Sequence, residues 1–207
     1  MSLYPLGVVL MTAITNLFYR TRTVGAENLE REGGFILSSN HVSAYDPIFL
    51  SLGAYKVKKQ IHYMAKAELL KIPIAGSVLK ALGAFPVRRG KGDRGAIEKA
   101  VSIVKEGQIF GIFPEGHRSK TGEPQPPKSG VAVVAARTHA EVVPCAIHIA
   151  EGKFRLFTHI TVRFGKAIPY EALGLTDDFN TPQLKAASGV IMGKTIELLK
   201  LGSAFNH

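Results

Sequence analysis

Short apolar runs alternate with helical patterns along most of this chain, and that alternation limits the fold more than any other feature. Runs at 34–39, 60–64, 84–87, 108–113, 142–147 and 157–164 have the length and composition of strands. Helical patterns lie between several of them. One covers 93–104, with Ile97, Val101 and Val104 on one face; another covers 130–138, apolar nearly all round and therefore expected inside. A last one covers 182–200, with Thr181 as N-cap, Pro182 at the first position and Gly202 past the end. Strands alternating with helices argue an α/β fold, a mixed, mostly parallel central sheet flanked by helices. At 207 residues the chain has the length of one domain, enough to bury a core without staples. No internal repeat is found. The one long irregular stretch, 119–130, holds Pro124, Pro126 and Pro127, and loops of that length are often functional rims.

The amino terminus departs from this pattern. Residues 3–19 carry no charge. As a helix they span about 26 Å, short of the ~30 Å hydrocarbon core of a bilayer. Leu3, Leu6, Leu10, Ile14 and Leu17 form one apolar stripe, while Thr12, Thr15 and Asn16 lie off it. Arg20 and Arg22 follow the run, whereas a signal peptide carries its positive charge before it. The segment is therefore read as a helix for membrane-interface attachment, residues 1–19, ahead of a single α/β domain, residues 20–207. A first helix packed on the core has the same periodicity and remains the alternative.

Charge narrows the partners. The chain has 26 Lys+Arg against 16 Asp+Glu, a formal net charge of +10, and one cysteine. Such a balance attracts nucleic acid, acidic lipid or phosphorylated substrate. Only 8% of residues are aromatic and Trp is absent, which argues against a single-strand nucleic-acid binder. The lone Cys145 excludes a disulfide framework and fits a reducing compartment. Histidines 62, 139, 148 and 159 show no metal-ligand spacing, so no metal is expected.

Sites in α/β sheets gather beyond the carboxyl ends of the strands. After 34–39 comes Asn40-His41 with Asp46 five positions on; after 84–87 come Arg88 and Arg89; after 108–113 come Glu115, Gly116, Arg118 and Ser119. His41 is suited to general-base work near neutral pH, and a carboxylate on its far nitrogen would fix its tautomer. Five residues of continuous helix would set the two about 140° apart, so a turn is needed between them. Asp46 also has an ordinary role to hand, as N-cap with Pro47 first in the helix, and both readings are compatible. No Ser or Cys nucleophile stands out, since Cys145 lies within an apolar run. Arg118 suits bidentate phosphate binding and Gly116 close backbone approach. Arg88 and Arg89 read equally as a solvated charge run, and Lys66 and Lys128, each taken alone, as surface residues.

Taken together these blocks resemble the glycerolipid acyltransferase family, in particular bacterial 1-acyl-sn-glycerol-3-phosphate acyltransferases. The resemblance rests on Asn40, His41 and Asp46; on Gly83, Phe85, Val87 and Arg89; on 113–119, Phe-Pro-Glu-Gly-x-Arg-Ser; on Val143, Pro144 and Ile147; and on Lys66, Glu68 and Leu69. The blocks fall in family order over about residues 22–165. His117 stands where Thr or Ser is usual and Arg88 where Asp is common, which bears on acceptor preference.

The resemblance implies transfer of a fatty acyl group from acyl-CoA or acyl-carrier protein to the 2-hydroxyl of lysophosphatidate, giving phosphatidate without a covalent acyl-enzyme. It implies His41 as base and Asp46 as its orienter. Arg118, Arg89 and Lys66 would hold the phosphate, and Glu115, Gly116 and Ser119 would form the acceptor loop. No cofactor beyond the thioester co-substrate is implied. The partners are a membrane lipid acceptor and an anionic membrane surface, not nucleic acid. The place of work is the cytoplasmic face of the cell membrane, as a peripheral or monotopic protein. Other acceptors (glycerol-3-phosphate or a lyso-aminolipid) and a non-catalytic anionic-lipid binder are the alternatives.

Overall fold

The computed structural model describes residues 4–87, 94–152 and 155–205. Among them are strands β1 (Arg20–Val24), β2 (Phe35–Ser39), β3 (Ile61–Lys66), β4 (Ala84–Val87), β5 (Ile109–Ile112), β6 (Val142–Ile149) and β7 (His159–Phe164). The helices are α1 (Tyr4–Phe18), α2 (Asp46–Tyr55), α3 (Ala75–Ala81), α4 (Arg94–Lys105), α5 (Gly130–Thr138) and α6 (Thr181–Lys200). One sheet holds all seven strands in the order β1-β7-β6-β2-β5-β3-β4. Every neighbouring pair is parallel except β6 with β7. The expected mixed, mostly parallel sheet flanked by helices is therefore present.

Both faces of the sheet are covered, and β2 shows the consequence. Its five residues are all buried. Phe35 and Leu37 join a cluster with Phe49 and Leu50 of α2, while Ile36 joins a second with α4, α5 and α6 on the opposite face. A strand covered on both sides loses the apolar–polar alternation and reads as a continuous run. The same logic places α5 inside, with Val131, Ala132, Val134, Ala135 and Ala136 buried.

Four local expectations need correction. The N-cap of α6 is Asn180, not Thr181: Asn180 is extended, and its side chain accepts from the Gln183 amide at 3.0 Å. Gln183 returns the bond by accepting from the Asn180 amide at 3.0 Å, closing a capping box. Strand β7 begins at His159 rather than at 157, because Phe157 adopts φ 63°, outside strand geometry. Strand β1 and helices α2 and α3 are additional elements. Finally, Asp46 is the first residue of α2 while Tyr45 holds the N-cap position, so Asp46 is not a cap.

Helix α1 lies along α2 and α3. Val8 packs with Ile48 and Leu82 in a small cluster of its own, with Met11, Leu52 and Val78 against it. Thr15 is buried, and its hydroxyl donates to the Met11 carbonyl at 2.7 Å. The Thr12 hydroxyl likewise donates to the Val8 carbonyl at 2.8 Å, while Ile14, Leu17 and Phe18 are exposed. Among the described residues no helix is long and apolar enough to cross a membrane.

The α6 capping box gives a check on this fold. Asn180→Ala should lower unfolding stability by about 1 kcal/mol, read as a lower urea midpoint at unchanged slope. Asn180→Ser should keep most of the loss from appearing. Identical midpoints for wild type and Asn180→Ala would contradict the cap.

Candidate active site

The parallel strands β2, β3, β4 and β5 end on the same edge of the sheet, and the marked residues follow those ends. Asn40 follows the last residue of β2. The β2–β6 ladder stops at Ser39 opposite Cys145. The buried Asn40 side chain then supplies two more bonds, accepting from the Ile147 amide at 2.8 Å and donating to the Ile147 carbonyl at 3.1 Å. A side chain thus continues the ladder, and the backbone is free to turn away at His41.

The turn brings His41 onto Asp46. His41 Nδ1 lies 2.7 Å from Asp46 Oδ2. The same oxygen accepts from the Val42 amide at 2.7 Å and the Ser43 amide at 2.8 Å. Asp46 is fully buried, so an unpaired charge there would be costly. Three convergent donors and the amino end of α2 offset that cost. An oxygen that accepts from two backbone amides accepts from the ring as well, so Nδ1 carries a proton, and in the neutral tautomer Nε2 is the nitrogen with the lone pair. Phe113 stacks on the His41 ring, centroids 4.2 Å apart and planes 20° apart, which fixes the ring plane.

The loop after β5 is tied to the same residue. The Gly116 amide donates to the Phe113 carbonyl at 3.0 Å, closing a turn with Gly116 at φ 74°. Between them stands Glu115, buried to 1% exposure. Its Oε1 accepts from the His41 amide at 2.7 Å and its Oε2 from the Gln125 amide at 2.9 Å. The Ser119 amide donates to the His41 carbonyl at 2.7 Å. Both backbone groups of His41 are therefore held by the 113–119 loop. Glu115 and Ser119 order the loop, and Glu115 points at backbone rather than at open space.

A cavity of about 250 Å³ opens beside His41, lined by Lys66, Phe113, Gly116, Lys128 and Gly130 among others. That is below the about 300–1,000 Å³ of drug-sized sites and suits a small head group. A Cβ on Gly116 would lie 3.0 Å from the Lys128 ammonium, so glycine leaves room for that side chain. Lys66 from β3 lines the cavity and lies 3.8 Å from the exposed Glu68. Arg118 is exposed on the loop and is not part of the cavity lining. Arg89 lies outside the described residues. The structure thus brings together His41, Asp46, Glu115, Gly116, Ser119 and Lys66 and leaves Arg118 exposed on the loop, outside the cavity lining. It adds Lys128, which spacing alone left as a surface lysine, and Asn40 and Phe113, whose supporting roles no spacing rule reveals.

No described Ser, Thr or Cys side chain hydrogen-bonds His41 Nε2. Cys145 is buried in β6, and burial pushes its thiol well up, so it is no nucleophile. A second cavity of about 450 Å³ lies on the other side of Asn40 and Val42, with His148 in its wall. Burial, with Arg163 nearby, holds His148 below the usual histidine range.

The described residues thus present a histidine held by a buried carboxylate at a sheet edge, beside a cavity lined by two lysines. Comparison with known proteins gives the family. The Acyltransferase family model matches residues 20–148, and the chain belongs to that family. It is 38% identical over 136 residues to a 1-acyl-sn-glycerol-3-phosphate acyltransferase of Bacillus subtilis, covering 66% of each chain. It is 32% identical to the protein of that name from Borreliella burgdorferi, covering 60% of this chain and 49% of the relative. The match thus spans from about half to about two thirds of these relatives' length. The crystal structure of the 1-acyl-sn-glycerophosphate acyltransferase PlsC from Thermotoga maritima superposes with a TM-score of 0.70 at 25% identity, over 94% of this chain and 79% of that one.

Glu115 provides the test of this geometry. Glu115→Gln leaves one side-chain oxygen to serve two amides, so one buried N–H loses its acceptor. Stability should fall by about 1–3 kcal/mol, measured by urea unfolding. An unchanged midpoint would mean that Glu115 does not hold the loop.

Proposed function

We propose that this chain transfers a fatty acyl group from a thioester, acyl-CoA or acyl-carrier protein, to the 2-hydroxyl of 1-acyl-glycerol-3-phosphate, giving phosphatidate. The observation that carries the reading is the His41–Asp46 pair, with Nδ1 committed to the carboxylate and Nε2 left available. The relatives' names support the choice of acceptor. Nε2 takes the proton of the acceptor hydroxyl as its oxygen attacks the thioester carbonyl. Asp46 stabilises the imidazolium that forms. Collapse of the tetrahedral adduct breaks the carbon–sulfur bond, and the imidazolium returns the proton to the departing thiolate. No acyl-enzyme forms and no metal or cofactor is required.

The acceptor's phosphate meets Lys66 and Lys128 in the cavity, with Arg118 and Arg89 supplying further positive charge. Gly116 keeps the backbone low beside it. Glu115 and Ser119 act by holding the acceptor loop in place. Helix α1 lies in the membrane interface with Ile14, Leu17 and Phe18 toward lipid, at the cytoplasmic face, as a peripheral or monotopic attachment.

Thioester release in the presence of 1-acyl-glycerol-3-phosphate tests this. His41→Ala should lower kcat by about 10²–10⁴, with the fold unchanged by circular dichroism. Near wild-type turnover would remove His41 as the base. Lys128→Ala should raise the acceptor KM about tenfold and leave the donor KM unchanged; no change in acceptor KM would take Lys128 out of the phosphate site. An acceptor panel including glycerol-3-phosphate decides the acceptor. Vesicle binding without turnover on any donor–acceptor pair would favour a non-catalytic lipid binder.

A further inference from the structure

We infer that two loops beyond α1, carrying Ile74 and Phe157, insert into an anionic bilayer and turn the catalytic edge of the sheet toward it. This builds on the interfacial placement of α1 proposed above but rests on other residues.

Both loops sit at the edge that carries His41. The first follows β3, a strand parallel to β2, and so leaves the sheet at the same end. It contains a 3-10 turn, Leu69–Lys71, and then Ile72-Pro73-Ile74. The second precedes β7. Since β7 runs antiparallel to β6, with Ile149 opposite Ile160, its start lies where β6 ends, again at that edge. The Phe157 amide also donates to the Phe18 carbonyl at 2.6 Å, joining this loop to the carboxyl end of α1.

Each loop exposes bulky apolar side chains in a backbone conformation that such residues avoid. Ile74 has φ 65° and ψ −62° and is 82% exposed. The Ala75 amide donates to the Pro73 carbonyl at 2.7 Å, so Ile74 is the centre of a γ-turn of the rare positive-φ hand. A β-branched residue at positive φ is an outlier. Phe157 has φ 63° and is 61% exposed, next to Leu156 at 67%. Leu69 and Ile72 are exposed beside Ile74. The backbone bonds of these turns hold the main chain but leave the Ile74 and Phe157 side chains exposed. Glycine would relieve the strain, so a large apolar side chain at each tip serves something outside the fold.

The rim chemistry selects a lipid surface. Lys71 stands in the first loop, Arg155 in the second and Arg20 just beyond α1, all exposed. The exposed Glu68 is the one acid of the first loop and lies 3.8 Å from Lys66. Apolar tips ringed by cations match acyl chains beneath anionic head groups, and each such cation adds attraction to acidic lipid. Insertion here places the mouth of the His41 cavity at the head-group level.

The test uses the full chain and equimolar phosphatidylglycerol–phosphatidylcholine vesicles, with pure phosphatidylcholine vesicles for comparison. Ile74→Ser and Phe157→Ser should each lower the vesicle partition coefficient about tenfold. Ile74→Gly separates binding from folding: it should hold or raise the urea midpoint, because glycine tolerates this φ, and still lose vesicle binding. Turnover on a water-soluble short-chain acceptor, without vesicles, should be unchanged in all three variants. Wild-type vesicle binding retained by all three would overturn the inference, as would a self-associated wild type that Ile74→Ser converts to monomer without loss of vesicle binding. Loss of binding on Leu17→Ser alone would leave α1 as the attachment and remove the loops. Absent turnover in the wild type would instead count against the proposed reaction and leave the vesicle result standing.

Discussion

The arrangement of the site depends on one buried carboxylate oxygen. Asp46 Oδ2 gathers the amides of Val42 and Ser43 and the imidazole of His41 within 2.8 Å. A carboxylate out of water must be paired or it becomes a large penalty, so the 40–46 turn is set by electrostatics. That turn is what lets residues five apart meet when a continuous helix forbids it. It also fixes the tautomer, because an oxygen that accepts from two amides accepts from the ring as well. The fold of the turn and the orientation of the imidazole are thus served by the same three bonds.

A second buried carboxylate ties this turn to its neighbour. Glu115 accepts from His41 on one oxygen and Gln125 on the other, while Ser119 binds the His41 carbonyl. Asn40 performs the matching task toward β6. His41 is therefore anchored from three sides by side chains that replace regular ladder bonds at the point where the sheet stops. Loss of one member is expected to loosen the others, so effects of substitutions in this group should not add.

Much of this was legible in the sequence. The runs that became β2, β4, β5 and β6 and the patterns of α4, α5 and α6 follow from apolar periodicity and turn residues. The convergence of His41, Asp46 and Glu115 follows from their places after strands that share an edge. What was not legible has physical causes. Helix α2 reads Asp-Pro-Ile-Phe-Leu-Ser-Leu-Gly-Ala-Tyr, apolar on almost every side, so no period marks it. Strand β1, Arg-Thr-Arg-Thr-Val, is a polar edge strand whose pairing with β7 is a contact between distant parts of the chain. Lys128 reaches the cavity only because its amide binds the Pro114 carbonyl and folds the loop back. Asp46 as cap or as partner of His41 was open on spacing alone; the structure sets Tyr45 at the cap position and Asp46 Oδ2 2.7 Å from His41 Nδ1.

In the neutral ring, Asp46 holds His41 as the Nδ1–H tautomer, leaving Nε2 as the bare nitrogen. Two-bond ¹H–¹⁵N correlation spectra of ¹⁵N-histidine-labelled protein, assigned through His41→Gln, read this directly. The expected result is a His41 Nδ1 signal of protonated type and an Nε2 signal of bare-nitrogen type in the neutral ring. A neutral His41 carrying its proton on Nε2 would contradict the account.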